Sequence, residues 1–277
     1  MNRQVVIIAV ILYVFSTSGS ALAHEPIFGL GPHTIFKGGF GLEMELEGEK
    51  ASGAGVVDRE RVVTSEIIYG ITTNLSATLA IPYILERSSI NESSGTGDIS
   101  VRTKYRFWRR DGIGVQDSAA VITGVKLPTG NDDKTPRLGS GSTDYLFGLA
   151  VARESLKWYY FGDVRYRLNT EGGGGRRAGN AVFADLAIGI RPRKTVYLRP
   201  DLVVIAELNF ESRDRNELFG VDFADSGGTR LFLSPSFFFT YRNWALKGGI
   251  QFPVDQDLNG NQPESDYRFS LAVETHL

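Results

Sequence analysis

The chain of 277 residues contains no cysteine, which excludes a disulfide framework, a thiol nucleophile and cysteine-held zinc together. Histidine occurs only at His24, His33 and His276. Beyond residue 23 there is no apolar run long enough for a membrane helix. No excess of charge stands out either: 30 Lys+Arg face 32 Asp+Glu, a balance too mild for a nucleic-acid surface.

The first residues are a different matter. Arg3 is followed by an apolar stretch from Val5 to Phe15, then small polar residues, then Ala21-Leu22-Ala23 just before His24. This is the layout of a secretory signal peptide cleaved after Ala23, the apolar stretch being too short for a hydrocarbon layer of about 30 Å. Without Arg3 the basic residues fall from 30 to 29 against 32 acidic ones, a net −3. An exported chain without membrane helices is either soluble or crosses a membrane as a closed barrel of strands.

What the chain has in abundance is alternation. In 98–108, Ile99, Val101, Thr103, Tyr105 and Phe107 share one face, and Asp98, Ser100, Arg102, Lys104 and Arg106 the other. Similar segments put Phe36, Phe40, Leu42, Met44 and Leu46 opposite Lys37, Glu43, Glu45 and Glu47. Trp158, Tyr160, Val164, Tyr166 and Leu168 oppose Asp163, Arg165 and Arg167. Val182, Ala184, Leu186, Ile188 and Ile190 oppose Asp185 and Arg191; Leu202, Val204, Ala206, Leu208 and Phe210 oppose Glu207, Asn209 and Glu211. The apolar faces of these segments carry no charge, as expected where Lys or Arg at the bilayer midplane costs roughly 2–4 kcal/mol.

Strands are expected to start near Thr34, Arg59, Leu75, Asp98, Ser118, Asp144, Lys157, Ala181, Thr195, Thr229, Trp244 and Tyr267. Short connections at 72–74, 154–156, 192–194 and 242–243 alternate with long ones at 48–58, 87–97, 128–143, 169–180, 212–228 and 255–266. The stretch 109–117 is a longer exception on the short side. Short periplasmic turns and long external loops are the signature of an outer-membrane barrel, and a soluble sandwich has no reason to sort its loops this way. Trp108, Trp158 and Trp244, with Tyr69, Tyr159 and Tyr241, gather at the short connections. Tyr83, Tyr145, Phe210, Phe252 and Tyr267 gather at the long ones, so two interfacial belts are expected. Pro82, Pro128 and Pro253 are placed to end ladders where long loops begin. Pro200 and Pro235 fall inside expected strands, and Phe237-Phe238-Phe239 is apolar on both faces.

The expected fold is therefore all-β: a closed, up-and-down antiparallel transmembrane barrel of about 12 strands. Residues 1–23 are read as a signal peptide, 24–33 as a short, disordered periplasmic segment and 34–277 as the barrel. The expected pore-lining residues are Lys37, Glu43, Glu45, Glu66, Arg102, Lys104, Arg106, Asp163, Arg165, Arg167, Asp185, Arg191, Glu207 and Lys247. If the lumen holds water, the basic ladder of Arg102, Lys104 and Arg106 opposite the acidic ladder of Glu43, Glu45 and Glu47 sets up a transverse field. If it is narrow, the same side chains fill it with ion pairs.

No catalytic site emerges. A Ser-His pairing finds no histidine in mid-barrel, and His24 with His33 makes too few ligands for a metal. Gly172 to Gly175 before Arg176-Arg177 lacks the Gly-Lys-Ser/Thr ending of a phosphate loop, and Gly139-Ser140-Gly141-Ser142 reads as a turn cluster. Acidic loop residues Asp132, Asp133, Asp255 and Asp257 read as solvated charge, with bridging of lipopolysaccharide through cations as the alternative.

Three stretches carry a family resemblance: 69–75 running to Ile81-Pro82-Tyr83; Gly95-Thr96-Gly97-Asp98-Ile99 running to 104–107; and Leu127-Pro128-Thr129-Gly130 followed by 139–144. In these the chain resembles the outer-membrane channel family named for the meta-pathway of phenol degradation. The resemblance implies the barrel fold and a channel role. The last segment, 267–277, resembles the C-terminal strand read by the barrel-assembly machinery, although Leu277 stands where Phe is usual.

The expected function is passive passage of a small solute, an aromatic or otherwise hydrophobic compound being one candidate, with no cofactor and no enzymatic activity. The expected partners are outer-membrane lipid, lipopolysaccharide, the assembly machinery and the solute, without nucleic acid. A structural or adhesion barrel with partner-binding loops, an outer-membrane lipid hydrolase and a soluble β-sandwich remain the alternatives.

Overall fold

The structure, a computed structural model, describes residues 24–53, 55–88, 91–194 and 199–277; the expected leader, 1–23, lies outside them. In chain order the strands are β1 (Phe40–Gly53), β2 (Val56–Thr72), β3 (Leu75–Ser88), the short β4 (Glu92–Thr96), β5 (Ser100–Gly112), β6 (Val115–Lys126), β7 (Asp144–Ser155) and β8 (Trp158–Leu168). Two-residue strands β9 (Glu171–Gly172) and β10 (Arg176–Arg177) follow, then β11 (Ala181–Ile190) and β12 (Asp201–Arg213). After β13 (Glu217–Leu218) and β14 (Val221–Asp222) come β15 (Gly228–Tyr241), β16 (Trp244–Leu258) and β17 (Glu264–His276).

Twelve of these strands close a single antiparallel ring. β1 pairs with β2 on one side and with β17 on the other, so Gly41 lies opposite both Ile68 and His276. The ring continues β17, β16, β15, β12, β11, β8, β7, β6, β5, β3 and returns to β2. Closure leaves no free edge, which is how strands cross a membrane with every backbone group paired. Among the described residues no helix is long and apolar enough to cross a membrane. This is the fold of bacterial outer-membrane proteins.

The faces follow the period of two. Along β12, exposed Leu202, Val204, Ala206, Leu208 and Phe210 alternate with buried Asp201, Val203, Ile205, Glu207, Asn209 and Glu211. Outward Trp158, Tyr160, Val164, Tyr166 and Leu168 of β8 and Val182, Leu186 and Ile188 of β11 are likewise exposed, up to 64 % at Leu186. Trp108, Trp158, Trp244, Tyr69 and Tyr241 are exposed near the short turns, and Tyr83, Tyr145, Phe210, Phe252 and Tyr267 near the long loops. Tyr159, expected in the lower belt, is instead buried at 2 % exposure, because alternation turns it inward between Trp158 and Tyr160.

Several expected boundaries are corrected. The first barrel strand starts at Phe40 rather than near Thr34, so Phe36 and Lys37 precede the ladder. The stretch 109–117 is no exception: β5 and β6 run on to a two-residue turn at Ile113 and Gly114. Among the described residues the ninth barrel strand runs from Asp201, with Pro200 before it; the start expected near Thr195 lies outside the described residues. Pro235 does sit inside β15, where the ladder to β16 is interrupted between Leu233 and Ser236. Its missing N–H falls in that gap. Pro82 lies where β3 changes partner: below it β3 pairs with β5 as far as Ala80 opposite Ser100, and above it with β4.

Candidate functional site in the barrel lumen

The largest departure from expectation is inside the barrel. Residues 24–33, expected as a loose periplasmic start, are packed within the lumen, and the chain stays inside as far as Ile35 before emerging at Phe36. His24 lies at the short-turn end, its Nε2 3.3 Å from Asp201 and its ring 5.1 Å from both Tyr159 and Phe238. The chain then climbs. Ile27 and Phe28 donate their backbone N–H groups to the two carboxylate oxygens of Glu207 at 3.0 and 3.1 Å, and Leu30 donates to Asp163 at 2.8 Å. It descends again to His33, whose Nε2 is 2.6 Å from Glu154, and leaves past Gly70. There Gly38 donates to the Gly70 carbonyl and Gly70 to the Gly39 carbonyl, at 2.7 and 2.9 Å. A Cβ on Gly70 would meet the Phe36 carbonyl at 1.9 Å, so this close approach requires glycine.

The physical reason for this docking is an apolar floor inside the barrel. Tyr159, Phe161, Val203, Ile205, Phe238 and Ala245 point inward and form a buried cluster against which Ile27 packs. Strands apolar on both faces need a covering on the inner side as well as lipid on the outer one. Burying the backbone of the segment in turn requires acceptors, which Glu207 and Asp163 provide. These belong to a network across four strands. Arg165 pairs with Asp163 at 2.7 Å and with Asp185; Asn209 donates to Asp185 at 2.8 Å, and Ser234 to Asn209 at 2.6 Å. Ser236 donates to Glu207 at 2.7 Å.

The expected inward ladders meet around the segment. Arg102 reaches Glu66 at 3.3 Å, Lys104 donates to Glu25 of the segment at 2.8 Å, and Lys247 lies 2.8 Å from Glu43 and 3.5 Å from Glu274. Glu43, Glu45, Glu66, Arg102, Lys104 and Lys247 all line one cavity of about 330 Å³ beneath the apex of the segment. Above it lie two cavities of about 270 and 290 Å³. Arg102 and Leu30 line all three and so stand where the cavities adjoin. Arg165 lines both upper cavities, Arg167 the first of them and Asp185 the second. Asp163 and Glu207 hold the segment.

Three expected residues stand elsewhere. Lys37 is exposed in the turn before β1. Arg106 donates to the Thr73 carbonyl at 2.8 Å and to the Asn74 side chain, capping the β2–β3 turn, because a register shift beside it turns the strand there. Arg191 grips Asp201 at 2.8 Å at the short-turn end. The expected pore-lining set left out Glu211, although alternation had already turned it inward, and sequence reasoning missed Glu25, Phe183, Arg213, Arg268 and Glu274. The last two were legible from the parity of the final strand, where Arg268, Ser270, Glu274 and His276 share the polar face.

The outer loops are anchored separately. Asp98, between β4 and β5, accepts the backbone N–H groups of Gly130 and Ser140 at 2.9 and 2.8 Å and the Ser140 hydroxyl at 2.8 Å. Burial alone would raise its pKa, but the donated N–H groups outweigh it and hold the carboxyl below the usual value. The resemblance motifs around Gly97-Asp98 and Gly139 to Ser142 thus encode a loop clasp.

By structure, the chain is similar to an outer membrane channel of Pseudomonas putida F1, with a TM-score of 0.69 at 16 % identity, covering 92 % of this chain and 100 % of that one. It is similar to the β domain of the Bordetella autotransporter BrkA, with a TM-score of 0.52 at 11 % identity, covering 86 % and 99 %. At these identities the likeness is one of fold. Comparison with curated proteins gives no match. The family model described as "Putative MetA-pathway of phenol degradation" matches residues 47–258, which is most of the barrel, and the chain belongs to that family.

Proposed function

We propose that the protein is a narrow outer-membrane channel for a small solute, with the segment 24–33 as a constriction inside the lumen. The observation that carries this reading is the stack of polar cavities, lined by charged side chains on both sides of the Arg102–Leu30 pair. Small polar cavities in series pass small molecules and exclude large ones. The similar Pseudomonas protein is described as a channel, which supports the same reading. The aromatic belts sit in outer-membrane lipid and lipopolysaccharide, and the last strand is the part offered to the assembly machinery.

A non-enzymatic role fits the histidines. His24, His33 and His276 each face a carboxylate, Asp201, Glu154 and Glu274, rather than a nucleophile. The packed segment also gives some weight to a second reading, a structural barrel with a filled lumen. Planar-bilayer recordings separate the two. The mature chain is expected to give small unitary currents, and removal of residues 26–33 is expected to enlarge them several-fold. Absence of current from both would favour the structural barrel and overturn the channel.

A further inference from the structure

Phe183 points inward from β11 and is ringed by guanidinium groups: Arg167 at 5.1 Å, Arg165 at 5.2 Å and Arg213 at 6.0 Å from the ring centre. The register explains the arrangement. Arg167 and Arg213 both lie opposite Ala181, one on each side, and Ala181 contributes only a methyl group between them. Phe183 is the next inward residue below, flanked by Arg165 and Glu211.

The charges here do not balance. Arg165 is neutralised by Asp163 and Asp185. Glu211 is shared by Arg213, Arg230 and Arg268, the last of these also reaching Glu49 at 3.0 Å. Arg167 has no ion pair among the described residues, and its side chain is exposed in the cavity of about 270 Å³ that Phe183 and Leu30 also line. The carboxylates of that cavity are engaged elsewhere: Asp98 holds the loop amides, and Asp144 pairs with Lys126 and accepts from Ser142 at 2.9 Å.

An uncompensated planar fork attracts an anion whose oxygens lie in one plane, and carboxylate fits a guanidinium in this way. The aromatic ring and Leu30 next to it offer an apolar rest for a flat body, which a strongly hydrated phosphate would not use. The space suits one small ring. We propose that Arg167 and Phe183, with Leu30 beside them, form a binding station in the upper lumen for a small organic monocarboxylate with a flat apolar body. As a station on a transport path it rests on the channel reading; as a binding site it does not.

The test titrates the mature protein in detergent micelles with benzoate, benzyl alcohol and inorganic phosphate, followed by isothermal titration calorimetry against protein-free micelles. Benzoate is expected to bind well ahead of the other two. Arg167→Gln is expected to weaken it about tenfold, as loss of one charge-assisted contact implies. Phe183→Leu should weaken benzoate while leaving phosphate unchanged. The proposal is overturned if benzyl alcohol binds as tightly as benzoate, or if Arg167→Gln leaves benzoate binding intact. The benzoate-to-alcohol comparison uses the unaltered protein, so it decides even where a variant fails to fold. Planar-bilayer currents separate the two readings. Benzoate binding without current overturns the channel and keeps the site; current without benzoate binding keeps the channel and overturns the site.

Discussion

At the scale of single residues, the lumen is organised by groups that meet the backbone of the inserted segment. Glu207 is fully buried and accepts from two consecutive N–H groups, an arrangement no neutral side chain reproduces. Glu207→Ala leaves both donors without an acceptor, and each buried orphan costs about 1–3 kcal/mol. The segment is therefore expected to undock: amide exchange at Ile27 and Phe28 should accelerate by orders of magnitude while the barrel amides stay protected. Retained protection at those two amides would show that the apolar floor alone holds the segment. Gly249 tests that floor directly. A Cβ there would come within 2.7 Å of Ser236 Cβ and 2.9 Å of the Phe28 ring, where Pro235 already interrupts the β15–β16 ladder. Gly249→Val is expected to expel Phe28, exposing residues 24–39 to proteolysis and enlarging the unitary current; an unchanged digest would place the ring's seat elsewhere.

At the scale of elements, what the sequence showed well was each strand by itself. Alternation at period two marks the lipid face of β8, β11 and β12 because every second side chain meets the same solvent along the whole strand. The segment 24–33 had no such signal, since its environment is made largely by residues more than a hundred positions away. Hints existed all the same. Val203 and Ile205 beside outward Leu202 and Val204, and Phe238 between Phe237 and Phe239, mean apolar surface on the lumen side. The apolar Ile27, Phe28 and Leu30 were the matching cover. The loop clasp is an element of another kind, held by a carboxylate with a lowered pKa. Such a group contributes stability above its unfolded pKa of about 4, lost as pH falls through the lower folded value. Amide exchange at Gly130 and Ser140 is thus expected to be slow at pH 5 and to speed up below about pH 4 beyond the intrinsic trend. In Asp98→Asn the excess should vanish, because the neutral amide does not titrate; an unchanged excess would assign the transition to another group.

At the scale of the whole molecule, one distinction governs the rest: the outer surface is apolar because lipid surrounds it, and the interior is charged because it is enclosed. Leu186 and Arg167 sample the two sides on adjacent strands. Leu186, 64 % exposed at the middle of β11, is placed near the bilayer midplane, and arginine there costs about 2–4 kcal/mol. Arg167 faces the lumen cavity, so glutamine in its place gives up a contact with a solute but no barrel pairing. Leu186→Arg is therefore expected to reduce the fraction of protein that assembles, read as loss of the fast-migrating, heat-modifiable band in cold detergent gels. Arg167→Gln should migrate like the unaltered chain before and after boiling. If the two variants assemble equally well, the apolar face is not in contact with hydrocarbon, and both the membrane placement and the enclosed, charge-lined lumen built on it lose their basis.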